Sequence, residues 1–323
     1  MSYLPKMDKR AFIGIDTSNY TTSLAIVDGE GRLVANLKRP LPVKAGERGL
    51  RQSEALFNHT LNLPYLMNDA RDYLSELKPL AVGVSTRPRN LENSYMPCFL
   101  AGVSAAESIS AFLGAPLYKF SHQCGHIMAA IYSSGNEDLL NREFCALHLS
   151  GGTTEILKVK YSGGAFSAEI MGGTKDLSAG QVIDRVGVYL GLPFPAGAHL
   201  EKLALSNTKK IQRVKLATDK TYVNFSGVEN MAIKLFEKTE SSAYTAHFVL
   251  DYIGRAICKM LDAYAEEHGD CPFLFAGGVM CNSIIRKMVS VGREAYFAEP
   301  SMSADNAVGT AVLAMQKYKM ENC

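Results

Sequence analysis

No C-x-x-C pair occurs among the seven cysteines, Cys98, Cys124, Cys145, Cys258, Cys271, Cys281 and Cys323. Their number is odd, and a reducing compartment fits them better than a disulfide framework does. No charged segment leads into an apolar core at the N-terminus, and no apolar run is long enough to span a bilayer. A cytoplasmic protein without membrane contact is the expectation. Neither charge is in excess: 34 basic residues stand against 32 acidic ones, which does not announce a nucleic-acid binder but leaves room for a local patch. The candidate patch runs from Arg32 to Arg51, where Arg32, Lys38, Arg39, Lys44, Arg48 and Arg51 face only Glu47. Taken alone, such a run is a solvated basic loop. No low-complexity linker divides the 323 residues, which suffice for two lobes with a core each.

Short β-branched runs broken by Asp, Ser, Asn and Gly open the chain. "AFIGIDTSNYTTSLAIVDGEGRLV" reads as two strands around a polar turn, then a Gly-Glu-Gly turn into a third strand. A helix is expected around Ser53 to Leu77, a buried strand over 79–86 and a helix over 97–115 ending at Gly114. The pattern then restarts. "FCALHLSGGTTEILKVK" (144–160) is strand, glycine-containing turn, strand; 176–192 is helical and runs into the breaker "PFPAGA". Residues 248–268 form an amphipathic helix with apolar positions every three or four residues. Residues 272–289 read as strand, double-glycine turn and helix, and 295–318 as strand, loop and closing helix. A hairpin theme that occurs twice, each time followed by helices, predicts a duplicated α/β fold of two lobes with mixed sheets and a cleft between them. The expected division is 10–120 plus 302–323 for the first lobe and 121–301 for the second, which would carry the metal and nucleotide motifs.

Several residues could carry chemistry. In "LSGGTTE" (149–155), Ser150, Gly151 and Gly152 lie between two strands, where successive backbone N–H groups can converge on an anion. "FAGGVMCN" (275–282) adds a helix start to the same arrangement. Either turn alone is more often a plain tight turn. Asp16 ends a strand; such a carboxylate either holds a metal's water shell or orients a nucleophile, or merely starts the hairpin as an Asx-turn. Asp184, on the polar side of its helix, is a candidate for a ligand hydroxyl. His122 and His126 in "SHQCGH" are four residues apart and so share one helix face, where they can present two imidazoles to one ion. Cys124 between them points away. Two histidines do not complete a site, and on spacing alone such a pair is more often incidental than metallic; Asp305 in "SMSADNAVG" is a suggestive third donor, and a His-His-Asp set suits iron or zinc.

Taken in order, these segments resemble the tRNA threonylcarbamoyltransferase family (TsaD, the glycoprotease-like family formerly labelled O-sialoglycoprotein endopeptidase), over nearly the whole chain. "IGIDTS" is similar to the family's opening strand motif, with Asp16 where Glu is usual. "SHQCGH" matches its His-x-x-x-His motif, "LHLSGGTTE" its nucleotide loop, and "AGQVIDRVGVYLGLPFPAGA" its Gly-Glu-Ala-Phe-Asp-Lys segment. "FSGVENM", "AGGVMCN" and "SADNAVG" match three further elements. The resemblance implies an actin-like, sugar-kinase-like ATPase fold of two ribonuclease-H-like lobes. It implies one divalent metal, iron or zinc, on His122, His126 and Asp305, with Asp16 at the reaction centre. It also implies an adenine nucleotide (threonylcarbamoyl-AMP, ATP or AMP) held by His148, Leu149, Ser150, Gly151, Gly152, Asp184, Gly197 and Asn282. The implied reaction transfers a threonylcarbamoyl group from its AMP anhydride to N6 of the adenosine beside the tRNA anticodon. The Arg32–Arg51 run would contact tRNA phosphates. The implied partners are tRNA, a small homologous subunit and a small ATPase, with room for a homodimer.

The chain departs from the family's pattern on one side. After "DTS" it has Asn19, Tyr20, Thr21 and Thr22 where the family has Cys-Asp-Glu-Thr, so two acids are absent. The Gly-Pro-Gly-Leu segment becomes "RPRNLENSYMPC" (87–98), which gains Arg87 and Arg89, and Thr153 replaces the nucleotide-loop His. Two alternatives follow: a nucleotide-binding paralogue acting on a small-molecule acceptor, or a scaffold without catalysis. A peptidase has no support, since no Glu follows His122 and no nucleophile–base pair stands out.

Overall fold

In the computed structural model, residues 9–18, 20–42, 50–91, 93–303 and 305–322 are described. Lys44, Glu47 and Arg48 of the basic run, Asn19 of the first hairpin and Glu92 lie outside them. The contacts divide the chain into two compact units. One takes in the chain up to Glu137, the turn Tyr161–Ser167 and the C-terminal stretch from Asp305; the other takes in Asp138–Lys160 and Ala168–Ser303.

The first unit opens with β1 (Arg10–Asp16), β2 (Thr21–Asp28) and β3 (Leu33–Pro40), an antiparallel meander. Then come α1 (Gln52–Leu74), β4 (Lys78–Arg87), α2 (Phe99–Leu113), β5 (Leu117–Ser121) and α3 (His122–Ser134). Crossover through helices makes β4 and β5 parallel to β1, giving the mixed order β3-β2-β1-β4-β5. On one face Ile13, Ile15, Leu24 and Val84 pack against Leu63, Leu66 and Ala70 of α1 and Ala101 and Ala106 of α2. Burying those side chains supplies roughly 1.5–3 kcal/mol for each large one.

The second unit holds β6 (Phe144–Leu149), β7 (Thr154–Ser162), β8 (Ala165–Thr174), α4 (Ala179–Tyr189), α5 (Gly197–Leu205), β9 (Thr218–Asp219) and β10 (Tyr222–Val223). It continues with α6 (Ser226–Thr239), α7 (Ser242–His268), β11 (Phe273–Ala276), α8 (Ser283–Val289), β12 (Ala295–Phe297) and α9 (Pro300–Ser303). Its sheet runs β12-β11-β6-β7-β8-β10-β9. The apolar stripe of α7 (Phe248, Val249, Tyr252, Ile253, Ile257, Leu261, Tyr264) is the spine of its core. Antiparallel β6 and β7 repeat the hairpin of β1 and β2, as the sequence led us to expect.

The last helix, α10 (Val308–Asn322), returns to the first unit and covers the other face of its sheet. Gly14 permits this closeness: a Cβ there would lie 2.4 Å from the carbonyl oxygen of Ala307 and 2.5 Å from the Ala311 nitrogen. The expected break at residue 120 differs from this division. Helix α3 packs on α10 and β4, so His122 and His126 lie in the first unit. No helix among the described residues is long and apolar enough to cross a membrane.

Candidate metal centre and glycine turns

Strand β5 ends at Ser121, whose side chain accepts the Cys124 N–H and so starts α3. This cap makes His122 the first residue of the helix and places His126 one turn later, with ring centroids 4.2 Å apart. The third donor arrives on the loop before α10. Asp305 Oδ1 is 3.6 Å from Nε2 of His122 and 3.4 Å from Nε2 of His126. Donor atoms of these residues all lie within 4.8 Å of one another, and all three side chains are half-buried. The approach depends on two glycines facing each other across the α3–α10 crossing. A Cβ at Gly309 would lie 1.9 Å from the Gly125 carbonyl oxygen, and Gly125 stands between the two histidines in the sequence.

Asp16 completes the arrangement from behind. It is buried at the end of β1, with Oδ1 3.0 Å from Nδ1 of His122. Its Oδ2 accepts from the Ser18 hydroxyl at 2.5 Å and the Ser18 N–H at 3.2 Å. The Asx-turn and the orienting role therefore coexist in one carboxylate. A carboxylate on Nδ1 fixes the ring and leaves Nε2 as the outward donor, which is how metal-ligating histidines are usually held. Two imidazoles and a carboxylate, one imidazole backed by a second carboxylate, are a fitting donor set for iron or zinc.

Charge follows from this geometry. Burial works against ionised Asp16, but the His122 charge and hydrogen bond and the Ser18 and Ser85 hydroxyls hold its pKa well below the usual carboxylate range. Burial also disfavours protonated His122, yet Asp16 and then Asp305 outweigh it and raise its pKa. Asp305 is lowered despite burial by the His126 hydrogen bond and both imidazole charges. His122 and the two carboxylates thus favour one another's charged forms. Cys124 is no ligand. It is buried, accepts from Asn90 Nδ2 (3.3 Å) and the Ser121 hydroxyl (3.2 Å), and ties α3 to the 87–98 segment.

Sequence reasoning missed His59. It is fully buried on α1, and its Nδ1 is 2.8 Å from the Thr22 hydroxyl, which accepts from Asn62 Nδ2 at 3.1 Å. The Nδ1–hydroxyl bond can form in either tautomer of the ring, and Nε2 has no partner among the described residues. Burial, opposed by the charges of Asp16 and Asp305, pushes its pKa down to about 4. In the unfolded chain the value is near 6.5. Unfolded chains therefore take up the proton first as pH falls. The contribution is full above about pH 6.5 and is lost between about 6.5 and 4, costing about 2–3 kcal/mol. His122, raised, acts above this window, and Asp16, lowered, acts below it. Denaturant melts of metal-free protein between pH 7.5 and 4.5 should show the loss, and His59→Gln should flatten it. An equal loss in the variant would contradict the assignment.

The nucleotide candidates lie in the second unit. Parallel strands β6 and β11 end side by side, with His148 paired to Ala276. The turns Ser150–Gly152 and Gly277–Gly278 therefore leave neighbouring strand ends, where open α/β sheets bind ligands. A Cβ at Gly151, Gly152, Gly197 or Gly278 would meet no atom, and none of the four has a left-handed backbone. Neither packing nor conformation calls for glycine there, whereas close ligand approach does. Helix α4 begins against the first turn: Ser178 donates to the Gly151 carbonyl at 2.7 Å. Ser150 Oγ accepts the N–H groups of Gly152 and Thr153, so part of this cradle is internally satisfied. Asp184 accepts the Ala196 N–H at 2.8 Å beside Gly197, and one oxygen thus serves the fold. Asn282 caps α8 through Ile284 and Ile285 N–H groups. Glu201 of α5, also missed, joins these pieces by accepting the Ser283 N–H and hydroxyl. Leu149 is buried in β6, and His148 is half-buried beside it.

The model of the family TsaD, described as tRNA N6-adenosine threonylcarbamoyltransferase, matches residues 95–312, more than half of the chain. The chain belongs to this family. Its members are acyltransferases. The match begins after the Asp16 hairpin and inside the 87–98 segment, two places where the sequence departs from the family's pattern. A tRNA N6-adenosine threonylcarbamoyltransferase of Halalkalibacterium halodurans is 28% identical over 336 residues, covering 97% of this chain and 93% of that protein. A Thermoplasma volcanium protein, a probable bifunctional tRNA threonylcarbamoyladenosine biosynthesis protein, is 25% identical over 95% of this chain. The chain spans 56% of that relative's length. Among solved structures, a ROK family glucokinase from Streptomyces griseus superposes with a TM-score of 0.52 at 15% identity, over 95% of this chain and 99% of that one. The fold is the actin-like, sugar-kinase-like ATPase fold.

Proposed function

We propose that this chain transfers a threonylcarbamoyl group from threonylcarbamoyl-AMP to N6 of the adenosine adjacent to the tRNA anticodon. The observation that carries this reading is the His122, His126 and Asp305 set, backed by buried Asp16, in a chain of the threonylcarbamoyltransferase family. A divalent metal held there would supply a Lewis acid for an oxygen of the donor. Asp16 keeps the His122 tautomer that turns Nε2 outward. The glycine turns after β6 and β11 hold the AMP phosphate through backbone N–H groups, a preorganised counterweight to developing charge. The family's bacterial members work with a small homologous subunit and a small ATPase, and we expect both as partners, in the cytoplasm.

A second reading, a small-molecule acceptor on the same donor, is favoured by the 87–98 segment, which lacks the family's Gly-Pro-Gly-Leu, while the basic run speaks against it. Arg32 is paired with Asp28 at 2.7 Å and with Glu30 at 3.0 Å, while Arg39 is stacked on Tyr65. Arg32 and Arg39 nevertheless stay 41% and 43% exposed, and Arg51 is exposed as well, so the run remains open to a phosphate backbone. One experiment separates the two. The protein is incubated with threonine, bicarbonate, ATP, tRNA and the two partners, and tRNA nucleosides are analysed by mass spectrometry. Threonylcarbamoyladenosine is the expected product. Its absence, in a mixture where a relative from the same family forms it, overturns the tRNA reading, and donor consumption without modified tRNA supports the second.

A further inference from the structure

Strand alternation separates two adjacent basic residues of β3. Arg39 lies on the α1 side, its guanidinium 4.7 Å over the Tyr65 ring and 3.8 Å from Asp69. Lys38, one residue earlier, faces the opposite side. In register it stands opposite Ser23, and Ser23 stands opposite Asp16. The three make one row across three antiparallel strands with their side chains on one face. That face is the one α10 covers, since Gly14, two residues before Asp16, meets the backbone of Ala307 and Ala311. Lys38 Cα is therefore about 10 Å from that of Asp16 by strand spacing, a distance its flexible four-carbon stem largely bridges. The ammonium is half-buried and feels the Asp305 charge.

We propose that Lys38 is an anion-binding residue of the metal centre, holding an anionic oxygen of the donor, from phosphate or carboxylate, beside His122, His126 and Asp305. This rests on the transferase reading above. The charge balance explains why a lysine belongs there. Asp16 and Asp305 already balance a divalent ion, so the half-buried Lys38 ammonium adds positive charge beside them. A lysine that merely neutralised Asp305 would instead become superfluous once the metal is bound.

The test uses full-length protein loaded with cobalt(II), whose visible spectrum reports only on the metal centre and ignores anions bound at the glycine turns. Inorganic phosphate and threonine are titrated separately, to tell a phosphoryl from a carboxylate source. Lys38→Met should keep cobalt affinity or tighten it, and should raise the dissociation constant of the responding anion about tenfold or more. Lys38→Arg should recover most of that loss. Anion affinity within about twofold of wild type in Lys38→Met, less than the change a lost charge-assisted bond brings, would overturn the proposal. So would a wild-type spectrum that neither anion moves. If the wild type takes up no cobalt, the metal centre itself fails and Lys38 falls with it.

Discussion

His126→Ala is expected to abolish stoichiometric metal binding and to lower threonylcarbamoyl transfer by at least about a thousandfold, the several kcal/mol that a Lewis acid supplies. This histidine is the cleaner of the two to remove. Its ring is near Asp305 and the His122 ring, so the truncation leaves Asp305, itself 24% exposed, open to water. His122→Ala instead strips the buried Asp16 of its partner, and an uncompensated buried carboxylate costs about 3–5 kcal/mol of stability besides the lost ligand. The two variants should therefore lose metal alike and differ in melting temperature. Asp16→Asn lies between them: the ligand set persists, but Nδ1 loses its carboxylate, and metal affinity should fall by roughly 10- to 100-fold. Metal content by plasma mass spectrometry and activity on the same preparations decide this. Full metal content in His126→Ala would remove the site from the account.

Gly309→Ala should be the most damaging conservative change in the first unit. The added methyl would lie 1.9 Å from the Gly125 carbonyl oxygen and 2.6 Å from the Ala129 nitrogen. Both are backbone atoms of α3, so no side-chain rotation relieves the clash and the helices must part. Overpacking of this kind costs about 3 kcal/mol, or a fall of about 6–12 °C in melting temperature. The same displacement moves His122 and His126 away from Asp305, so metal affinity should drop although no ligand has changed. Gly227→Ala is the control: it adds a methyl near the start of α6, where nothing lies within 4 Å, and should be neutral or slightly stabilising. Equal melting temperatures and metal affinities in Gly309→Ala and wild type would show that the α3–α10 crossing does not set the site.

The sequence made the strands and long helices legible because their apolar positions recur at the right period. Helix α7 and the hairpins β1–β2 and β6–β7 are the plainest cases. Helix α6 escaped, since only Val228 and Ala232 of its fourteen residues are buried and its stripe is narrow. Strand β8 escaped as well, being exposed along much of its middle. The His122–His126 spacing was visible, but the third donor was not derivable from spacing, because Asp305 reaches the histidines only through the α10 crossing. The surroundings of Lys38 and His59 were invisible. A run of basic residues does not reveal that β3 sends Lys38 and Arg39 to opposite faces, and a lone helical histidine does not reveal that it lies under Thr22.

Anomalous diffraction at the iron and zinc edges, from crystals grown of protein purified without chelators, tests the central claim most directly. A single peak enclosed by His122, His126 and Asp305, lost in His126→Ala crystals, is the predicted result. A peak at other residues, or metal-free crystals of a preparation that still modifies tRNA, would contradict it.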